Sequence, residues 1–196
     1  MKKRAALYAI DGGDARGKET QTKLLVEYFQ SVGMKVIRVE LPVKDKLTHK
    51  LIRWTLKNGL AASWPNSFQM LQFLNKCLFQ AFTLKKLLTT YDVVILDRWS
   101  ASNWVYGTAT NVNSMLLNAM KDCLIQPDLT VIIHGKAYRK IAEDVYEADL
   151  ELQNRVDALY QYLAVLDPKM VLVSTEGTKE NIHDCIVAKI REHEVS

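Results

Sequence analysis

Nine residues constrain this chain more than any others: Gly12-Gly13-Asp14-Ala15-Arg16-Gly17-Lys18-Glu19-Thr20. They satisfy GxxxxGK, and they lie between an apolar run, Ala5 to Asp11, and a stretch of helical period beginning at Lys18. Strand, glycine loop and helix in that order form the context in which this motif becomes a phosphate cradle, with loop N–H groups and the helix N-terminus aimed at an anion. Gly12 and Gly17 permit close backbone approach and dihedrals closed to other residues. Lys18 is placed to bridge β- and γ-phosphates as a point charge.

One position departs from the motif. The residue after the lysine, normally a Ser or Thr that holds Mg²⁺, is Glu19. Thr20 follows one residue later, about 100° round the helix, so its hydroxyl need not face the same ion. Asp14 is an alternative carboxylate for metal or water. Glu19 is open to two readings, a metal carboxylate or a favourable charge in the positive first turn of a helix.

Beyond the loop, short β-branched runs alternate with helical stretches, which predicts an α/β fold with a parallel sheet covered by helices. Five strands are expected, at Ala5 to Asp11, Lys35 to Leu41, Val93 to Asp97, Leu129 to His134 and Met170 to Ser174. The first helix should run from Lys18 to about Val32, with Leu24, Leu25, Tyr28 and Phe29 inward and Gly33 as its left-handed cap. Further helices are expected from Lys46 to Lys57, from Pro65 to about Thr90, and through Leu150 to Leu163. In the second of these, Phe68, Leu71, Leu74, Leu78 and Phe82 form an apolar stripe that reads as core. The polar, basic stretch from Gly135 to Tyr146 reads as a short lid.

Length and charge set the remaining bounds. A chain of 196 residues suits one domain. Its 26 basic residues are interleaved with 22 acidic ones, a pattern that argues against nucleic acid as a partner. The apolar run before Asp11 is too short for a secretory leader, and no other stretch suits a membrane span. Cys77, Cys123 and Cys185 are widely spaced and fit neither a disulfide framework nor a CxxC metal site, so a cytoplasmic location is expected.

With the loop, the run YDVVILDRWSASNWVY at 91–106 makes the chain resemble the thymidylate kinase family over nearly its whole length. Asp11, Gly12, Asp14, Gly17, Lys18, Thr20 and Gln21 match the family's loop, with Asp11 in place of the usual Glu. The resemblance implies a three-layer P-loop NTPase fold and transfer of the ATP γ-phosphoryl group to dTMP, with Mg²⁺ as cofactor and a homodimer as the assembly. It assigns Asp97 to the metal and phosphates and Arg98 to the acceptor phosphate. Ser102, Asn103 and Tyr106 match an ASNxxY pattern in which the asparagine reads the base and the tyrosine crowds a ribose 2′-hydroxyl.

Other positions depart from the family. Lys76 stands where an arginine is common, and Gln72 where a phenylalanine stacks on thymine. Phe68 or Phe73 could compensate, although Phe73 is rotated about 100° from Gln72. These changes keep a second acceptor open, dUMP or a modified pyrimidine, and Glu19 with the short lid keeps open a relative that binds nucleotide without chemistry. Pro42 and Lys44 fall in the segment that aids phosphate transfer. Arg139 and Lys140 are the lid cations, and Asp144, Tyr146 and Glu147 resemble a D-x-Y-E segment whose tyrosine lies against the nucleotide.

Overall fold

The computed structural model describes residues 4–44, 47–138 and 149–195. Five parallel strands form one sheet: β1 (Ala6–Gly12), β2 (Val36–Glu40), β3 (Val93–Asp97), β4 (Leu129–His134) and β5 (Met170–Ser174), in the order β2-β3-β1-β4-β5. β1 lies at the centre because its residues are buried on both faces. Tyr8 and Ile10 pack with Leu25, Phe29 and Ile186, while Leu7 and Ala9 pack in a second cluster with Leu88, Leu96 and Trp99. This two-sided burial explains why the strands read as continuous apolar runs.

The helices are α1 (Lys18–Ser31), α2 (Leu47–Lys57), a single turn α3 (Leu60–Ser63), α4 (Pro65–Phe79), α5 (Lys85–Thr90), α6 (Ser100–Ala109), α7 (Ser114–Asp122), α8 (Leu150–Leu166) and α9 (Lys179–Val195). Among the described residues none is long and apolar enough to cross a membrane. The single helix expected from Pro65 to Thr90 is divided by a π-helical stretch at Gln80–Leu84. Its apolar stripe is not one buried face, since Leu74 is 46% and Phe82 75% exposed. α4 instead turns Gln69, Asn75 and Lys76 inward with Phe68 and Phe79. The pattern misleads because this helix spends part of its buried surface on polar groups that wall a cleft.

Chain reversal about β1 creates that cleft. Sequence leaves β1 toward β2 and β3 on one side and returns to β4 on the other, so the strand ends diverge there, where open α/β sheets receive ligands. Register places Ile10 beside Asp97 and Gly12 beside Ile133. The Arg98 N–H donates to the Ile10 carbonyl at 3.0 Å, fixing the exit of β3 against that of β1.

Candidate active site

The glycine loop is held by requirements that few residues meet. Gly12 has φ +139°, and a Cβ there would lie 2.2 Å from the Ile133 carbonyl oxygen, so only glycine lets β1 leave the sheet beside β4. Gly17 has φ +80° and begins α1 with no side-chain cap, which leaves the first-turn N–H groups directed into the loop. Lys18 is buried, and its Nζ donates to the Gly13 carbonyl. Burial lowers its pKa to about 8, with help from Arg98, while Asp14, Asp97 and Asp11 oppose the shift. A cavity of ≈ 540 Å³ opens over this loop, and Tyr138, Gly177 and Ile182 close its far side.

Asp14 and Arg98 stand at the cavity's inner wall. Arg98 adopts φ +69°, a left-handed conformation that costs a non-glycine residue about 1 kcal/mol or more. That turn brings its guanidinium onto the Asp14 carboxylate. Tyr106 donates its hydroxyl to the other Asp14 oxygen, and Gln153 Nε2 donates to it at 3.1 Å. Burial alone would raise the Asp14 pKa; Arg98, Lys18 and these hydrogen bonds outweigh it and hold the carboxyl well below its usual range. Arg98 is pushed above its ordinary value: burial alone would lower it, and Asp14, Tyr106, Tyr160 and Asp97 together outweigh burial.

The other aspartates are committed differently. Asp97 accepts from Arg38 at 2.5 Å, and Arg38 Nε donates to Thr22 at 2.6 Å. Asp11 is fully buried and accepts from the Trp99 N–H at 3.1 Å, the Ser102 hydroxyl and the Tyr160 hydroxyl. It organises the start of α6. Glu19 is exposed and pairs with Lys23 at 2.7 Å, one turn along α1, which lowers its pKa. Among the described residues no group of three or more His, Cys, Asp or Glu side chains could hold a metal. One or two carboxylates with bridging phosphates suffice for Mg²⁺, so Asp14 and Asp97 suit an ion carried by a nucleotide.

A second cavity of ≈ 570 Å³ lies on the other side of Arg98, between α2, α4 and α6. Gln72, Lys76, Ser102, Asn103, Tyr106 and Pro42 all line it. Phe73 does not. It packs with Trp99 and Leu117 in the core, whereas Phe68, four residues before Gln72, supplies the aromatic edge. Lys44 lines the mouth and pairs with Glu40 at 2.8 Å. The two cavities share Asp14, Glu19, Glu40 and Arg98, and so meet at the Asp14–Arg98 pair.

Arg16 lies in the glycine loop, but its side chain is committed to the fold. It is 5% exposed, donates from Nε to the Gly135 carbonyl at 2.7 Å and pairs with Asp157 at 3.2 Å. Arg139, Lys140, Asp144, Tyr146 and Glu147 lie outside the described residues. Sequence reasoning missed Gln69, Gln153, Arg38 and Tyr138. The Tyr138 N–H donates to the Ala15 carbonyl at 2.8 Å, and its ring lies near Gly17. Nothing local marks these four, because each reaches the site from a separate element.

A phosphate loop at the end of a central parallel strand, with a second pocket joined to it through an arginine, defines the class of P-loop kinases that phosphorylate small acceptors. A sequence profile described as thymidylate kinase matches residues 10–186. The chain is 28% identical over 201 residues to a probable thymidylate kinase of Thermococcus gammatolerans, covering 95% of this chain and 96% of the relative. It is 27% identical over 195 residues to the thymidylate kinase of Plasmodium falciparum, covering 96% and 91%. In fold it is similar to the thymidylate kinase structure from Candida albicans, with a TM-score of 0.80, 22% identity and coverage of 99% of this chain and 94% of that one. The chain belongs to the thymidylate kinase family, and is thus a nucleoside monophosphate kinase that uses ATP.

Proposed function

We propose that this chain transfers the γ-phosphoryl group of ATP to dTMP, giving dTDP and ADP for deoxynucleotide supply. The observation that carries the reading is the meeting of two cavities at one ion pair, Asp14–Arg98, with a lysine-bearing phosphate loop on one side only. Phosphoryl transfer needs two phosphates aligned, neutralised and kept from water, with little covalent work by the protein.

The loop N–H groups from Gly13 to Thr20 hold the donor phosphates, and Lys18 leaves the Gly13 carbonyl to bind the β- and γ-oxygens. Arg98 turns from Asp14 toward the acceptor phosphate and balances its charge at the junction. Asp14, still held by the Tyr106 hydroxyl and Gln153, then positions the acceptor sugar and the water around the donor phosphates. Mg²⁺ bound with the nucleotide would neutralise phosphate charge, and Asp14 and Asp97, which line the loop cavity, would hold it. Pro42 and Phe68 wall the acceptor, Asn103 reads its base, and the Tyr106 ring leaves no room for a 2′-hydroxyl. Arg139 is assigned to the transferring phosphoryl group. A homodimer is the proposed assembly, supported by Trp54, Met70 and Leu74, which are exposed on neighbouring helices α2 and α4. The proposed location is the cytoplasm.

A second reading has one specific observation in its favour. Gln72 and Lys76 make the acceptor pocket more polar than a stacked thymine requires, so dUMP or a modified pyrimidine is the alternative acceptor. Coupled ADP release against dTMP, dUMP, dCMP, dGMP and dAMP separates the two, with Lys18→Ala as the inactive control. Fastest turnover of dTMP supports the first reading; preference for a purine monophosphate sinks both.

A further inference from the structure

The least expected group in the acceptor cavity is an ammonium with no carboxylate bonded to it. Lys76 is 3% exposed, yet it lines the cavity. Its Nζ donates one proton to the Trp99 carbonyl at 2.9 Å and another to Asn103 Oδ1. No third partner is found among the described residues, which leaves the remaining valence for whatever fills the cavity. Asn103 is oriented by the same contacts. Its oxygen must face Lys76, and its Nδ2 donates to Gln69 Oε1 at 3.0 Å.

Together Lys76 and Asn103 thus offer one donor beside one acceptor. A base edge carrying a carbonyl oxygen next to a ring N–H, as in thymine and uracil, is the complement; the amino and bare ring nitrogen of cytosine are the reverse. The donor exists only while Lys76 keeps its third proton. A neutral amine would still supply two N–H groups to Trp99 and Asn103 but would turn a lone pair toward the base.

Resting on the functional reading above, we propose that Lys76 is a proton-gated specificity residue: protonated, it admits a keto–imino base, and neutral, it loses that preference. An arginine at this place would stay charged at every accessible pH. The lysine's surroundings put the change near neutrality. Burial is the main cause that lowers its pKa to about 7, the Asp11 charge opposes it, and Arg98 assists. The helices packed on α4 bring few other charges. His49 and Arg53 of α2 line the same cavity, and burial, with Arg53 and Lys44, lowers the His49 pKa. α3 brings none, α6 brings the Tyr106 hydroxyl, whose pKa burial raises so that it stays neutral, and Asp14, Glu19, Glu40, Lys44 and Arg98 line the rest of the cavity. Preference for the keto–imino base is complete below the Lys76 pKa and decays as pH rises through it.

The experiment is the ratio of kcat/KM for dTMP to that for dCMP between pH 6 and pH 9. Because Lys18 and the phosphates affect both acceptors alike, their titrations cancel in the ratio. In the unaltered enzyme the ratio should fall about tenfold, the worth of one hydrogen bond to a charged group; in Lys76→Arg it should stay flat. As a check free of mutation, calorimetric titration at pH 8 in buffers of different ionisation enthalpy should register proton uptake with dTMP and none with dCMP. A flat ratio without differential uptake, in an enzyme that phosphorylates dTMP, overturns this inference alone. An enzyme that neither binds nor phosphorylates dTMP at any pH overturns the functional reading and this inference together.

Discussion

Arg98 offers the sharpest perturbation because its two contributions pull in opposite directions. Its guanidinium pairs with Asp14, their side chains being 24% and 15% exposed, and it walls both cavities. Its backbone is held at φ +69°. Replacing it with alanine removes the charge-assisted contact that it makes with the acceptor phosphate once it leaves Asp14, worth about 2–3 kcal/mol. At 1.36 kcal/mol per factor of ten, acceptor kcat/KM should fall about 30- to 150-fold. Alanine keeps the left-handed strain, whereas glycine relieves about 1 kcal/mol of it. Arg98→Gly should therefore melt about 2–4 °C above Arg98→Ala in a chain of this size while remaining equally poor with dTMP. Steady-state kinetics with each substrate varied, plus thermal melting of both variants, decides the matter. If Arg98→Gly recovers acceptor use, the guanidinium has no catalytic role. If the KM for ATP rises as much as that for dTMP, the assignment to the acceptor phosphate is wrong.

Gly12→Ala should lose upwards of about 4 kcal/mol in urea unfolding, since its Cβ would sit 2.2 Å from a backbone oxygen that cannot move without breaking the β1–β4 ladder; a stable, active Gly12→Ala enzyme would refute the packing described for the loop. The pKa of Lys18 is lowered, so its charge is present below about pH 8 and lost above it, and kcat/KM for ATP should decline as pH rises through that value, read in a coupled assay with dTMP saturating. Tyr106→Phe should retain discrimination of dUMP over UMP because the ring remains, whereas Tyr106→Ala should relax it at least about tenfold; equal selectivity in all three enzymes would remove Tyr106 from sugar recognition.

The sheet was legible from sequence because its central strands are buried on both faces, and a short continuous apolar run between turn residues fits few places in a fold except such a strand. Three expected strands, beginning at Val93, Leu129 and Met170, coincide with the observed ones at both ends. α7 and α9 were not assigned, although both carry starting signals: Asn113 accepts from the Met115 and Leu116 N–H groups, and the Thr178 hydroxyl from that of Asn181. Within the site, the loop could be read because phosphate binding imposes local spacing on glycine and lysine. The partners of its side chains could not. Arg38 reaches Asp97 across the sheet, Gln153 reaches Asp14 from α8, and Arg16 turns away toward Asp157. These contacts depend on which strand ends lie side by side, and no spacing in the sequence encodes that. α4 failed for the opposite reason: its apolar periodicity is real, but the face it buries is chosen by the cleft, which takes Gln69, Asn75 and Lys76 inward.

Acceptor dependence of phosphoryl release bears most directly on the central claim that two cavities exchange a phosphoryl group through Asp14 and Arg98. With ATP labelled in the γ-phosphate, label should appear in dTDP in one-to-one proportion with ADP, and Lys18→Ala should abolish both. ADP formed equally without dTMP, with the label recovered as inorganic phosphate, would contradict it.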